Sequence, residues 1–239
     1  MNSFEQRARD LGYTPVSSAS IDARVSFIRK TYAHLLGAIL AFAGLSFGIQ
    51  QLPFIDQAMG LLFSKGAFAW LFVLGGFALV GFIADWWAHN MESKALQYAG
   101  LGLYVVAESA IFTPMFYLAQ GFEGAIPSAA LITAVVFAGL TVSVFVTRAD
   151  FSFLRMGLIV ASFLGLGAIV AGALFGFGLG LWFSVFMVLI ASGSILYYTS
   201  NILHHYNPNQ YVAAALSLFS AVALLFWYVL RIVMAFSGD

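Results

Sequence analysis

The longest uncharged stretch of the chain runs from Met156 to Leu230, 75 consecutive residues without Lys, Arg, Asp or Glu. A water-soluble domain needs charged side chains on its outer surface for hydration, so it does not tolerate a stretch of this kind. A helix rises about 1.5 Å per residue and crosses the hydrocarbon core of a bilayer in roughly 20 residues. The stretch therefore has room for three crossings, and it predicts an integral membrane protein.

The composition of all 239 residues agrees with this prediction. Hydrophobic residues make up 62% of the chain and charged residues 8%, whereas a soluble domain has about 25% charged residues. The formal net charge is zero, which gives no basic surface for nucleic-acid binding. The chain has no cysteine, which excludes disulfides and thiolate metal sites. We expect one polytopic domain surrounded by membrane lipids, with no enzymatic activity, no cofactor and no metal.

Seven apolar runs of membrane length alternate with polar or Gly/Pro-containing breaks. The predicted spans are 31–50, 67–87, 96–119, 125–147, 154–175, 179–203 and 211–236. The break at 176–180 is the weakest signal, but a single helix over 154–203 would be far too long for one crossing. The sequence predicts an all-α membrane protein with a seven-helix transmembrane domain over residues 29–239. A cytosolic tail over residues 1–28, mobile in its Ser-rich middle, is expected before it.

The distribution of Lys and Arg predicts the orientation of the spans. With the N-terminus in the cytosol, the cytosolic side holds eight of these residues and the opposite side holds two, Lys65 and Arg231. Positive charges concentrate on the cytosolic side of membrane proteins. We therefore expect a cytosolic N-terminus and, after an odd number of spans, a C-terminus on the other side.

Glu108 is the one acidic residue near the centre of a predicted span. A carboxylate at that depth is costly unless it faces the bundle interior, is protonated or lines a wet cavity. Tyr104 lies one turn earlier on the same helix face, and Pro114 leaves a backbone carbonyl without its usual donor one turn later. Two interpretations remain open: a proton or cation site formed by Glu108 and Tyr104, or a structural glutamate between helices.

The other polar residues near the span ends favour structural roles. Asp85 ends the second span and is expected to be a solvated helix-end carboxylate. Arg231 can extend its side chain outward as an anchor. His204 and His205 are adjacent, so on a helix they point about 100° apart and cannot share a metal ion on one face. Sensing of pH by these histidines stays an alternative.

Four segments of the chain carry a family pattern. They are Arg29–Tyr32, Thr147–Leu154, Ser192–Ile202 with the sequence SGSILYYTSNI, and Ala214–Phe219 with the sequence AALSLF. Together they resemble the Bax inhibitor-1 (TMBIM) family and, within it, the bacterial YccA-like branch. The resemblance implies a seven-helix fold whose last helix is central and wrapped by the other six. It also implies a cytosolic N-terminus, in agreement with the distribution of Lys and Arg. We expect the protein to lie in the bacterial inner membrane, with the C-terminus in the periplasm because the number of spans is odd.

The resemblance implies two alternative activities. YccA-like proteins inhibit or modulate the membrane-bound AAA protease FtsH, which would engage the tail at Arg7 and Arg9, unless the tail only sets topology and binds anionic lipid. Other relatives are pH-sensitive calcium leak channels, closed by a pair of acids on helices six and seven. Here Tyr198 and Ala221 take those two positions, and they cannot form such a pair. We expect a protease modulator, with a leak of calcium ions or protons through Glu108 as the alternative.

Overall fold

The described part of the chain is entirely helical. The computed structural model describes residues 15–237, and a 3-10 helix, Val16–Ser18, comes first. Eight α-helices follow: α1 Ile21–Gln50, α2 Ile55–Ser64, α3 Gly66–Ala88, α4 Lys94–Ala119, α5 Ala125–Thr147, α6 Leu154–Phe175, α7 Gly180–His204 and α8 Tyr211–Ser237. All except α2 are long and apolar enough to cross a membrane. The prediction of an all-α membrane protein with seven spans is confirmed.

The weakest predicted break, at 176–180, is a true helix end. Gly176 adopts a left-handed conformation with φ 74°, and its N–H donates to the carbonyl of Gly172 at 2.9 Å. This is the usual way in which a glycine ends a helix, because glycine has no Cβ to clash there. Gly180, with φ 64°, starts α7, so two spans replace the alternative of one very long helix.

The first span begins earlier than its apolar run. Helix α1 starts at Ile21, because the Ser20 hydroxyl caps it by accepting from the Ala23 N–H at 3.3 Å. The preceding serines, which we expected to be mobile, belong to a docked segment. The Val16 N–H donates to the Tyr206 carbonyl at 2.8 Å, and the Ser17 hydroxyl donates to the His204 carbonyl at 2.9 Å. The expectation of a mobile middle is wrong for these residues, since they pack on the connection between α7 and α8.

The last described helix, α8, forms the centre of the bundle. It packs against α1, α3, α4, α5 and α7. Within its apolar stretch of 18 residues, 72% is buried inside the protein, compared with 6% in the corresponding stretch of α6. The predicted central position of the last helix is confirmed. The picture of six surrounding helices needs correction, because α6 packs on α3 and α7 rather than on α8. A helix that is apolar on all sides suits either the core or the lipid, so the sequence alone could not distinguish them.

Helices α3 and α4 approach each other closely at Gly100. A Cβ atom at this position would lie 2.5 Å from the carbonyl oxygen of Ala84 and 2.6 Å from the amide nitrogen of Ala88. Small residues allow such close contact between membrane helices, where packing rather than the hydrophobic effect drives association. This contact fixes the end of α3, which carries Asp85, against α4, which carries Glu108.

Candidate functional site

One face of α4 carries a line of residues spaced four apart: Tyr104, Glu108, Phe112 and Phe116. This spacing places them one above another, and the face is turned toward the bundle core. Glu108 is buried, with 5% of its surface exposed. The Tyr104 side chain interacts with the Glu108 carboxyl group and with the Ser220 hydroxyl on α8. The Glu108 side chain therefore faces the bundle interior, which is one of the possibilities that the sequence allowed.

A polar cavity of about 470 Å³ opens at the N-terminal end of the bundle, where α3, α6, α7 and α8 meet. Its polar lining residues are Asp85, His89, Arg155, Ser162, Ser194, Tyr197, Tyr198, Asn201, Tyr206 and Ser217. At about 30 Å³ per water molecule, a polar cavity of this size has room for several waters. Tyr198 lines this cavity, and Tyr104 precedes Glu108 by one turn on α4. Both tyrosines therefore lie on the side of Glu108 that faces the polar cavity.

Tyr198 and Ala221 occupy the two positions where the family pattern has acids. Tyr198 on α7 lines the polar cavity, whereas Ala221 on α8 is buried in the hydrophobic core. One turn before Ala221, the Ser217 hydroxyl lies 3.0 Å from the Tyr206 hydroxyl. Burial raises the pKa of Tyr206, although its contact with Ser217 opposes that shift. The Tyr206 and Ser217 hydroxyls are neutral at physiological pH and can relay hydrogen bonds, but they cannot replace the carboxylates of an acid pair.

The mouth of the cavity carries charged groups that the sequence interpretation treated as isolated. Asp85 and His89 form an ion pair across one helical turn, with 3.3 Å between Oδ1 and Nδ1. The side-chain hydrogen bond to Asp85 raises the pKa of His89, and this effect outweighs the lowering caused by burial. Arg155 lines the same cavity from α6. Asp85 is exposed, as expected. The sequence interpretation missed its ion pair with His89, which the spacing of four residues on a helix could have indicated.

His204 and His205 point to different partners, as expected for neighbours on a helix. His204 Nε2 lies 3.2 Å from the carbonyl oxygen of Arg148, and His205 Nε2 lies 3.2 Å from Oδ2 of Asp150. Burial alone would raise the pKa of Asp150, but hydrogen bonds from Ser152 and the contact with His205 hold it below its usual value. No group of three His, Cys, Asp or Glu side chains within residues 15–237 is arranged to hold a metal ion.

An aromatic cluster separates Glu108 from the opposite end of the bundle. Phe112 is its centre, with ring centroids at 4.8 Å from Trp227, 5.0 Å from Phe42 and 5.5 Å from Phe116. Phe226 stacks on Phe112 at 5.8 Å. The phenylalanines were visible in the sequence, but nothing in their spacing showed that three helices bring them together. We call these five residues the aromatic block.

Polar groups reappear beyond the aromatic block. The Gln50 side chain donates to the Thr113 carbonyl at 2.9 Å, and the Gln120 side chain donates to the Gln50 side-chain oxygen at 2.9 Å. These glutamines stand at the rim of a second, larger cavity of about 890 Å³. The two cavities lie at opposite ends of the bundle, and Glu108 and the aromatic block lie between them.

The remaining predicted site, Arg7 and Arg9, lies outside the described residues. In the nearest described segment, Val16 is fully buried against the bundle, whereas Ser17 and Ser18 are exposed. It is attached to the connection that also carries Tyr206, one of the residues lining the polar cavity.

Comparisons with known proteins agree with this architecture. A family model described as "Inhibitor of apoptosis-promoting Bax1" matches residues 24–238. An uncharacterized protein of Pseudomonas aeruginosa is 32% identical, covering 89% of this chain and 90% of its own length. Mouse protein lifeguard 4 is 27% identical, covering 92% and 89%, and a Golgi anti-apoptotic protein of vaccinia virus is 26% identical, covering 93% and 91%. A match over nearly the whole chain, together with the seven spans and the central last helix, shows that this protein belongs to the Bax inhibitor-1 family.

Proposed function

We propose that this membrane protein provides a leak pathway for protons, in which Glu108 carries the proton through the centre of the bundle. The supporting observation is the buried carboxyl group of Glu108, with Tyr104 one turn away on the side of the polar cavity that Tyr198 lines. Ionisable residues at mid-membrane depth are costly and commonly mark ion or proton pathways. A tyrosine hydroxyl both donates and accepts hydrogen bonds, so it can pass a proton between water and a carboxyl group.

The ligand set favours a proton over a calcium ion. Calcium takes six to eight oxygen ligands, usually with several carboxylates. Glu108 is the single carboxylate among the buried residues that the structure describes, and Tyr198 and Ala221 stand where an acid pair would be. A single carboxyl group with neighbouring hydroxyls is sufficient for proton transfer, whereas it is a poor calcium site.

The aromatic block closes the pathway on the far side of Glu108. Hydrophobic constrictions stop conduction by excluding water, and Phe112 lies one turn beyond Glu108 with its ring against Trp227. Phe42 and Phe116 belong to the block and also line the larger cavity. Conduction in this scheme requires the rings to separate, so the structure corresponds to a closed pathway.

Flux into liposomes of the purified protein, loaded with a pH-sensitive dye, tests the proposal. Glu108→Gln keeps the size and hydrogen bonding of the side chain but cannot ionise, so we expect it to abolish the proton leak. Phe112→Ala opens the aromatic block, so we expect it to increase the leak. Glu123→Gln, which neutralises an exposed acid in a connection, is the matched control and should behave as the wild type.

Two results would count against this function. A proton flux in Glu108→Gln equal to that of the wild type would make Glu108 structural, and a wild type without any flux would remove the leak pathway altogether. A calcium-sensitive dye in parallel liposomes tests the ion, since a calcium flux that depends on Glu108 would contradict the preference for protons.

A second candidate function, modulation of an FtsH-type membrane protease, is supported by the way the N-terminal segment is attached. Val16 and Ser17 are held on the connection between α7 and α8, so a protease that pulls on the preceding residues must first detach this contact. The central, largely buried α8 then resists extraction. We propose Arg7 and Arg9, with the residues around them, as the segment that the protease engages.

Deletion of residues 2–13 tests the second function without removing the docked segment. We expect the deletion to abolish co-purification with the protease, and unchanged co-purification would contradict it. The double substitution Arg7→Gln and Arg9→Gln removes both positive charges. It distinguishes engagement by the protease from the alternative role of the arginines in topology and lipid binding. Loss of binding to anionic vesicles with retained protease association would assign the arginines to the membrane surface.

The proposed location is the bacterial inner membrane, with the N-terminus in the cytosol and the C-terminus in the periplasm. The similarity to a Pseudomonas aeruginosa protein and the excess of Lys and Arg on one side support it. Because the chain has no cysteine, a single cysteine can be introduced in place of Ser64 or Ser152 and tested for labelling from outside the cell. We expect a membrane-impermeant reagent to reach position 64 and not position 152.

A further inference from the structure

The larger cavity, of about 890 Å³, is a cleft between α1 and α5 with α4 and α8 behind it. Helices α1 and α5 both pack on α8, but they contact each other mainly at the end away from the cleft, where the ring centroids of Tyr32 and Phe145 lie 5.9 Å apart. The cleft therefore opens sideways, toward the space that lipid occupies around a membrane protein. Its volume lies within the range of about 300–1,000 Å³ that is typical of ligand sites. We call it the lateral cleft.

The dimensions of the lateral cleft match one leaflet of a bilayer. On α1, its wall extends from Ile39 to Gln50, which is roughly 16 Å at 1.5 Å per residue. The hydrocarbon core of a bilayer is about 30 Å thick, so this length corresponds to half of it. The deep wall is apolar and is formed by residues such as Phe42, Phe137 and Phe226. An extended acyl chain from the leaflet opposite the N-terminus fits these dimensions.

Two buried hydroxyl groups in the lateral cleft have no hydrogen-bond partner. Ser46 on α1 and Thr133 on α5 each have 4% of their surface exposed, and neither side-chain oxygen is hydrogen-bonded. Other helical hydroxyls here, such as those of Ser109 and Thr113, donate to the carbonyl one turn earlier. A buried hydroxyl without a partner is unfavourable. Both oxygens have almost no accessible surface, so they belong to the wall of the cleft and are not available to a bound lipid.

The mouth of the lateral cleft is polar and carries a negative charge. Gln50, Gln51 and Gln120 line it, and Asp56 is the one charged residue among the described residues that line the cleft. The Tyr117 hydroxyl holds Asp56 in place by donating to its Oδ1 at 3.1 Å. An anionic headgroup would meet this carboxylate with no lysine or arginine in the lining. An ammonium group would meet an opposite charge.

We infer that the lateral cleft binds one phospholipid whose headgroup carries a primary ammonium group, as phosphatidylethanolamine does. The acyl chain lies along the apolar wall of the cleft. The glutamine side chains bind the phosphate region, and Asp56 pairs with the ammonium group. This inference is independent of the proton pathway, since none of its polar groups belongs to the route from Tyr198 to Glu108.

Lipid retention by the full-length protein tests the inference. The protein is reconstituted in nanodiscs of equal phosphatidylethanolamine and phosphatidylglycerol, extracted in mild detergent, and analysed by native mass spectrometry. We expect one retained phosphatidylethanolamine per wild-type chain. Ala134→Trp places an indole in the cleft wall and should remove the bound lipid. Val135→Trp is the matched control, because Val135 is 64% exposed on the same helix and faces away from the cleft.

The headgroup preference is tested by Asp56→Asn. We expect this substitution to reduce the preference for phosphatidylethanolamine by about two- to fivefold, the range of an exposed ion pair. Equal retention by Ala134→Trp and the wild type, or a wild-type preference for phosphatidylglycerol, would overturn the inference. A second copy of the chain in the cleft would also overturn the inference. It would be observed as a dimer without lipid, which Ala134→Trp converts to a monomer. Thermal unfolding of each variant verifies that lost lipid does not reflect an unfolded protein.

Discussion

Replacing Gly100 with alanine changes the closest contact between α3 and α4. The new Cβ atom would lie 2.5 Å from the Ala84 carbonyl oxygen, 2.6 Å from the Ala88 amide nitrogen and 3.0 Å from the Trp87 Cβ. Two of these are backbone atoms of a helix, which cannot rotate away as the end of a flexible side chain can. The helices must therefore separate by about 0.9 Å to reach the 3.4 Å at which ordinary contact begins.

The cost of this separation follows from the loss of packing. A gap of 0.5–1 Å removes about a quarter to a half of the dispersion energy of each contact that it opens. Overpacking in a well-packed core typically costs about 1–3 kcal/mol, and the rigid backbone on both sides favours the upper part of that range. We expect Gly100→Ala to lower the free energy of unfolding by about 2–3 kcal/mol. The end of α3 also moves, so Asp85 and His89 shift relative to the polar cavity.

Unfolding in mixed micelles, followed by the loss of helical circular dichroism, measures this effect. Gly102→Ala is the control on the same helix, because a Cβ at Gly102 has no atom within 4 Å. We expect the control to be neutral or slightly stabilising, since alanine is the better helix former. If Gly100→Ala unfolds at the same denaturant concentration as Gly102→Ala, the close approach does not limit stability and the reasoning fails.

Three further predictions concern the N-terminal end of the bundle. His89→Ala should destabilise the protein below about pH 6.5, because His89 is protonated there and its pair with Asp85 stabilises the fold. At high pH the neutral His89 adds no such stabilisation, so the variant should match the wild type. Thermal unfolding across pH measures this difference. Arg148→Gly should raise stability by about 0.5–1 kcal/mol, because Arg148 has a left-handed φ of 52° that suits glycine; chemical unfolding checks it, and a loss would contradict it. Val16→Ala should cost about 1 kcal/mol by leaving a small cavity and should expose the docked segment to protease; unchanged cleavage would refute it.

The span pattern could be predicted because a bilayer imposes a length. Apolar runs of about 20 residues between polar breaks leave few alternatives, so the predicted spans at 96–119, 125–147 and 154–175 agree with α4, α5 and α6 within two residues. Helix α2 has ten residues and is too short to span a membrane, so a search for membrane-length runs does not detect it. The start of α1 was placed too late because its first turns are polar and depend on the Ser20 cap rather than on hydrophobicity.

The arrangement of the site was harder to predict than the spans. Glu108 stood out because a charge inside a span is rare, and its partner Tyr104 followed from helical spacing. The facing direction of α4 could not be deduced, because helices in lipid are apolar on all sides and lack the amphipathic pattern that orients a helix in water. For the same reason, the meeting of Phe42, Phe112 and Trp227 and the lateral cleft depend on contacts between helices that are distant in sequence.

The central position of α8 has a consequence for how the protein is made. Among the described helices, α8 is the last to leave the ribosome, yet it contacts five of the other six spans. Until it arrives, those spans have inner faces with no partner in the protein, and lipid must cover residues such as Glu108 and Phe112. The bundle can therefore close only after α8 has been inserted. A slow or failed insertion of this one helix would leave an open intermediate for membrane quality control to remove.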